Sequence, residues 1–546
     1  MKKIFFLLFI MIISGSCIKN NESKVMLNDK ISQFSPTELS YDEAALTENQ
    51  KQVILKIFQA ARIMDDIFLE QVYSRNREIK EELMKKNETE ALAYFNIMFG
   101  PFDRLDHNKP FYGNFEKPKG ANFYPEDMTK KEFETWIQEH PEDEESFTSE
   151  FTMIRRENGN LVAIPYSEYF KEPLGKAAQF LREAADYADN PTLRKYLETR
   201  ADAFESNDYY ESDMAWMDLK DHTIEVVIGP YEVYEDELFN YKAAFECFLT
   251  IRDADASEKL KVFGSFINEM EKNLPIPDEH KNFGRGSESP IVVVQQVYSS
   301  GDTKAGIQTI AFNLPNDERV REAKGSKKVL MKNLHEAKFK KQLMPIAQLI
   351  LNEDELKNVT FDGFFNHVLM HEMSHGVGPG KIIKNGQNTE AKKELKETYS
   401  TLEECKADVL GMYNNILMIE KGVYTREFEK EIWPSFLGGV FRSIRFGINE
   451  AHGAGNAIIF NYMYQNNAYI FDEATETLSI NYDKVYDTLK SLATELLMIQ
   501  ALGDYEAAKT MIETYGKETE IISRIREKLT SIPIDIKPVY SIEKKF

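Results

Sequence analysis

His371 and His375 stand four residues apart with Glu372 beside the first, and 29 residues beyond His375 comes Glu404, in the run Glu403-Glu404-Cys405-Lys406-Ala407-Asp408. On a helix, residues four apart lie one above the other, so the two imidazoles can aim at one point. A fold that uses this pattern has to bring a second helical segment against the first, with an acidic side chain reaching the same point. That requirement constrains the chain more tightly than its composition does.

Two histidines with a glutamate between them at this spacing are the helical signature of a zinc hydrolase. Zinc is held tetrahedrally, and a catalytic site keeps three protein ligands so that water can take the fourth position. Glu404 is the best third ligand, because Asp408 follows at i+4 and can accept the free N–H of a metal-bound imidazole. Leu402, Cys405, Val409, Met412 and Ile416 recur at helical spacing, which puts both acids at the margin of a buried stripe. Acids half inside a core need partners, and a metal site supplies them. Glu403 has two readings, a carboxylate behind the ligands or the end of a Ser400-x-x-Glu403 capping box. His367, one turn earlier, takes a supporting or packing role, since Glu404 completes the set. The ligand types favour one zinc ion per chain without requiring zinc over other divalent metals.

At the N-terminus, Lys2 and Lys3 precede an apolar run over residues 4–13 and then Ser14-Gly15-Ser16-Cys17. This resembles a bacterial lipoprotein leader, too short to span a membrane permanently, with lipidation expected at Cys17. The expected location is the cell envelope, with membrane contact only through that anchor. Beyond Cys17 there are only Cys247 and Cys405, so stability rests on an apolar core rather than a disulfide framework. In 546 residues, 42% hydrophobic, there is enough apolar surface for two or more packed units. A formal charge of −23 excludes a nucleic-acid partner, because phosphate binding needs clustered cations. Oligomeric state is not encoded in any pattern found here.

The expected fold is α+β and predominantly helical, in two lobes. Residues 1–17 read as the leader, 18–45 as a polar tether, 46–342 as a mixed helix and strand lobe, and 343–546 as a helical metal-bearing lobe whose tail packs on the first. Helical patterns cover residues 53–79 and 174–204, and strand patterns cover 223–228, 291–298 and 306–312. Thr360 or Asp362 caps the first metal helix, and residues 376–396, rich in Gly and Lys, read as a surface loop.

The metal motifs, His371-Glu-Met-Ser-His-Gly-Val-Gly-Pro-Gly380 and Glu403-Glu-Cys-Lys-Ala-Asp408, together with Glu450-Ala-His-Gly453 and Ile224-Glu-Val-Val-Ile-Gly229, resemble the dipeptidyl peptidase III family of metallopeptidases. The resemblance implies two lobes around a cleft, one helical and zinc-bearing, the other mixing helices with a small β-barrel or sheet. It implies that His371, His375 and Glu404 hold zinc, that Glu372 activates water and that His452 supports the transition state. It further implies that Glu225 holds the free amino terminus of a short peptide substrate. Two residues depart from the family pattern. Ser374 directly precedes His375, without the extra residue of better-known members, and Val227 replaces a tyrosine that donates to the developing oxyanion. Losing one such donor costs on the order of a hundred- to a thousand-fold in turnover. The other functions open to such a chain are hydrolysis of a non-peptide amide or ester, and non-catalytic peptide binding at the envelope.

Overall fold

The computed structural model describes residues 26–283, 290–448 and 451–545. The leader with Cys17, the start of the tether and Glu450 lie outside the described residues. The chain forms two compact units. The first holds Met1–Asp253, Val294–Lys327 and Ile536–Phe546, and the second Ala254–Val293 and Lys328–Asp535.

In the first unit, α1 (Glu48–Val72) opens with a capping box between Thr47 and Gln50 and buries Ile57, Phe58, Met64 and Phe68. It packs on α2 (Lys171–Tyr187), which packs on α3 (Pro191–Ser206). The two long helices expected from periodicity are each broken. Tyr73 is extended after α1, and Asn190 caps α3 while Pro191 takes its first position, where its missing N–H costs nothing.

The strands β1 (Ile224–Glu232), β2 (Ala244–Arg252) and β3 (Ile291–Gly301) pair antiparallel, with Val227 opposite Phe248 and Leu249 opposite Tyr298. β1 and β2 are buried along nearly their whole length, so apolar residues such as Val226, Val227 and Ile228 fall on both faces instead of alternating with polar ones. With β4 (Ala311–Leu314) and β5 (Lys327–Met331) the strand order is β1-β2-β3-β5-β4, an open sheet and not the barrel alternative. The strand expected at 306–312 is shifted and short, Ala311–Leu314, because the turn at Gly306, with its positive φ, takes up its start.

Part of the expected tether is folded. Phe34–Leu39 pairs with Asp535–Tyr540, burying Phe34 and Leu39 while the residues between them stay largely outside. A strand with only its two ends buried carries little apolar signal, which is why composition suggested a tether.

The second unit is a packed set of helices: α4 (Phe361–Ser374), α5 (Tyr399–Glu420), α6 (Phe428–Ile444), α7 (Ala451–Gln465) and α8 (Val485–Leu502). α5 is buried on almost every side and packs against each of the other four. Glycines permit its closest approaches. A Cβ at Gly411 would stand 3.1 Å from His371 N, and one at Gly455 would stand 3.1 Å from Cys405 N. Residues 376–396 form not an irregular loop but a hairpin, Lys381–Lys384 with Gln387–Glu390, and the short helix Ala391–Leu395.

The unit boundaries differ from the sequence division at residue 342. Residues 254–293 belong with the helices, because the Gly378 N–H donates to Glu271 at 2.9 Å and Tyr413 donates to the Asn273 carbonyl at 3.0 Å. Such long-range ties leave no local pattern. Cys247 and Cys405 are both buried and unpaired, and no described helix is long and apolar enough to cross a membrane.

Candidate metal centre

Thr360, not Asp362, caps α4: its Oγ1 accepts the Gly363 N–H at 3.0 Å. Helical geometry continues to His375, so His371 and His375 face the same way with their Nε2 atoms 3.1 Å apart. From α5, Glu404 Oε2 comes within 3.4 Å of His371 Nε2 and 3.7 Å of His375 Nε2. A tetrahedral ion with bonds of about 2.0–2.1 Å separates its ligand atoms by about 3.3 Å. The triangle of donors therefore fits a small divalent ion, and these three residues form one metal-competent group. Glu404 Oε2 is buried and accepts no well-formed hydrogen bond among the described residues, which suits an oxygen reserved for a cation.

Behind each imidazole stands a carboxylate. Asp408 Oδ1 accepts His371 Nδ1–H at 2.7 Å and lies 3.3 Å from His367 Nε2, while Oδ2 accepts Asn456 Nδ2–H at 2.8 Å. Glu403 Oε1 accepts His375 Nδ1–H at 2.9 Å. The capping box at Ser400 does not form, because α5 starts at Tyr399 and Thr398 occupies its cap position. With Nδ1 of both histidines donating, both Nε2 lone pairs are left for the ion. Without a cation, burial pushes the Glu403 carboxyl up, but the Lys406 ammonium and His375 more than reverse this and hold it at about 2. Burial likewise raises Glu404, and His371 and His452 draw it far below the usual carboxylate range.

Glu372 is half-buried, and its carboxylate makes no hydrogen bond or ion pair among the described residues; only its backbone carbonyl is held, by Lys328. His452 stands in the first turn of α7, 58% exposed, with Nε2 3.1 Å from Glu404 Oε2 and its ring 6.2 Å from that of His371. The second unit thus brings together His371, Glu372, His375, Glu403, Glu404, Asp408 and His452.

Glu225 belongs to the other unit. It lies in β1 of the first unit, 1% exposed, with His222 Nε2 at 2.6 Å and Lys327 Nζ at 3.3 Å. Its carboxylate is paired with the buried Lys327 ammonium, so a substrate ammonium would compete with that partner. Val227 is buried in the same sheet, and Tyr231 lies under the Arg200 guanidinium at 5.4 Å, engaged there and no stand-in for the missing tyrosine.

Sequence reasoning passed over three residues that the geometry includes: Lys406, Gln500 and Asn456. Lys406 carried a signal, a charged residue three positions from Glu403 on a buried helix. Gln500, 97 positions from Glu403, carried none.

The sequence model of peptidase family M49 matches residues 122–399, a span that includes His371 and His375 and stops short of Glu404. The chain is 38% identical to Nudix hydrolase 3 of Arabidopsis thaliana over 97% of its own length and 76% of the plant protein's. Among solved structures it resembles the dipeptidyl peptidase III of Caldithrix abyssi, with a TM-score of 0.93 and 65% identity over 94% of this chain and 99% of that one. It also resembles dipeptidyl-peptidase III from Corallococcus sp. strain EGB, with a TM-score of 0.85 and 41% identity over 96% of this chain and 98% of that one.

Proposed function

This chain belongs to peptidase family M49, and from that premise we propose that it is a zinc peptidase that releases dipeptides from the amino termini of short peptides. The observation that carries the reading is the triangle of His371, His375 and Glu404 donor atoms, with the Glu372 carboxylate, unpaired among the described residues, following His371 on the same helix and acting on it electrostatically. A site whose metal only braces the fold has no use for a free carboxylate next to the ligands. The names of the two structural relatives support the dipeptidyl specificity.

In this reading His371, His375 and Glu404 hold the ion, and zinc is preferred because two imidazoles and one carboxylate suit it. A bound zinc ion supplies Lewis acidity, polarising the scissile carbonyl and making water a stronger acid. Glu372 takes the proton from the attacking water and passes it to the leaving amine. His452, exposed and 3.1 Å from Glu404 Oε2, stabilises charge on the carbonyl oxygen. Asp408 and Glu403 hold the imidazoles in the tautomer the ion needs. The basic leader, its apolar run and the cysteine at position 17 support lipid anchoring at the cell envelope, which labelling with a radioactive fatty acid in wild type and Cys17→Ser would test.

The deciding experiment is mass spectrometry of products after a zinc-loaded chain starting beyond Cys17 meets a library of short peptides, beside Glu372→Ala. Dipeptides from free amino termini, absent with the variant, are expected. Cleavage at other bonds would remove the dipeptidyl specificity, and identical products from both proteins would remove the assigned mechanism.

A further inference from the structure

Behind His375, the Glu403 carboxylate receives more than the imidazole. Lys406 Nζ donates to Oε1 at 2.7 Å, and Gln500 Nε2, arriving from α8, donates to Oε2 at 2.8 Å. Both side chains are buried, Lys406 to 3% exposure and Gln500 to 1%. An ammonium is expensive to bury unless all of its protons find acceptors. Lys406 meets that demand in an informative way: its other two contacts are the backbone carbonyls of Ser374 at 3.0 Å and Val377 at 3.1 Å. One of those carbonyls comes directly before His375 in the chain and the other two residues after it. The same ammonium therefore grips the backbone on both sides of the histidine and the carboxylate behind its ring.

We propose that Lys406, assisted by Gln500, is a positioning residue of the metal centre, fixing Glu403 so that His375 keeps one tautomer and one ring orientation with Nε2 toward the ion. A carboxylate held only by His375 could turn about its last torsion and let the imidazole swing with it. Donors on both oxygens, from two different helices, remove that freedom. The fit is reciprocal, since Glu403 also supplies the negative charge that a buried ammonium needs. The inference rests on the metal reading above and extends it to residues that touch neither ion nor substrate.

The test compares Lys406→Met and Gln500→Leu with wild type. Metal affinity is measured by competition with a chromophoric chelator, ligand geometry by the visible absorption of the cobalt-loaded proteins, and turnover as separate kcat and KM. Partners that support ligands in this way are worth roughly 10–100-fold in metal affinity. Lys406→Met is expected to weaken affinity by that amount and to shift the cobalt bands. Gln500→Leu is expected to weaken it several-fold, with kcat falling and KM unchanged. Because Gln500 touches Glu403 and not the turn after α4, its variant remains a valid test even if Lys406→Met fails to fold. Wild-type affinity and cobalt spectra in Gln500→Leu, whatever Lys406→Met does to stability, would overturn the proposal. A wild-type chain that binds no divalent ion would instead overturn the metal reading itself.

Discussion

Asp408 receives the Nδ1–H of His371 at 2.7 Å, while its second oxygen is held by Asn456 at 2.8 Å. The carboxylate is thus fixed from the side of α7 and fixes an imidazole on α4. Asp408→Asn keeps the shape, removes the charge and sets an amide against Asn456. Metal affinity is expected to fall about 10–100-fold, measured by chelator competition. An unchanged dissociation constant would show that the His371 orientation is set elsewhere.

Among the described residues, the Glu372 carboxylate makes no hydrogen bond or ion pair, which leaves it available as a base. Glu372→Gln should leave metal content at one ion per chain and lower kcat by roughly 10²–10⁴-fold, the range for a positioned general base. Atomic absorption together with peptide turnover separates the two effects. Loss of the metal itself would mean that the carboxylate supports binding rather than proton transfer.

The metal centre was legible because its chemistry is local. His371 and His375 share one helix turn, Glu404 and Asp408 share another, and a 3.6-residue period predicts which way each points. What escaped was long-range. Gln500 reaches Glu403 across 97 positions, and residues 254–293 join the helical unit through contacts such as Glu271 with Gly378. Broken helices at Tyr73 and Asn190 were lost for another reason, since apolar periodicity runs straight through a short interruption while caps and Pro191 do not. The pairing of Glu225 with Lys327 across 102 positions was equally invisible, because neither residue carries a local sign of the other.

Acid sensitivity should have a contribution from a histidine outside the ligand set. His335 is fully buried against Phe364 and Phe365, with Nδ1–H donating to the Met331 carbonyl at 2.8 Å and Nε2 without a partner. Burial drives its pKa from 6.5 down to about 3. Between those values the unfolded chain binds a proton that the folded chain refuses, so stability falls as pH drops through that window. At about pH 5 the loss is about 2 kcal/mol. In metal-free protein, urea midpoints for wild type should fall more steeply from neutral to mildly acidic pH than those for His335→Gln. Parallel slopes would show that the histidine charges freely.

Glu225 and Lys327 form a buried pair, 1% and 3% exposed at the side chain, with His222 on the other carboxylate oxygen. Burial alone would raise the Glu225 carboxyl, yet Lys327 and His222 hold it at about 2, so the charge is a product of its partners. Removing the carboxylate leaves an ammonium in the interior, an error that costs about 3–5 kcal/mol, whereas removing both charges costs much less. Glu225→Ala should therefore lower the unfolding midpoint strongly, and Glu225→Leu combined with Lys327→Met should recover most of the loss. The alternative, a carboxylate kept for a substrate ammonium, predicts the opposite division: KM for peptides with a free amino terminus rises while stability stays near wild type. Measuring the unfolding midpoint and KM on the same preparations distinguishes them, because a structural ion pair moves the first and a substrate contact moves the second.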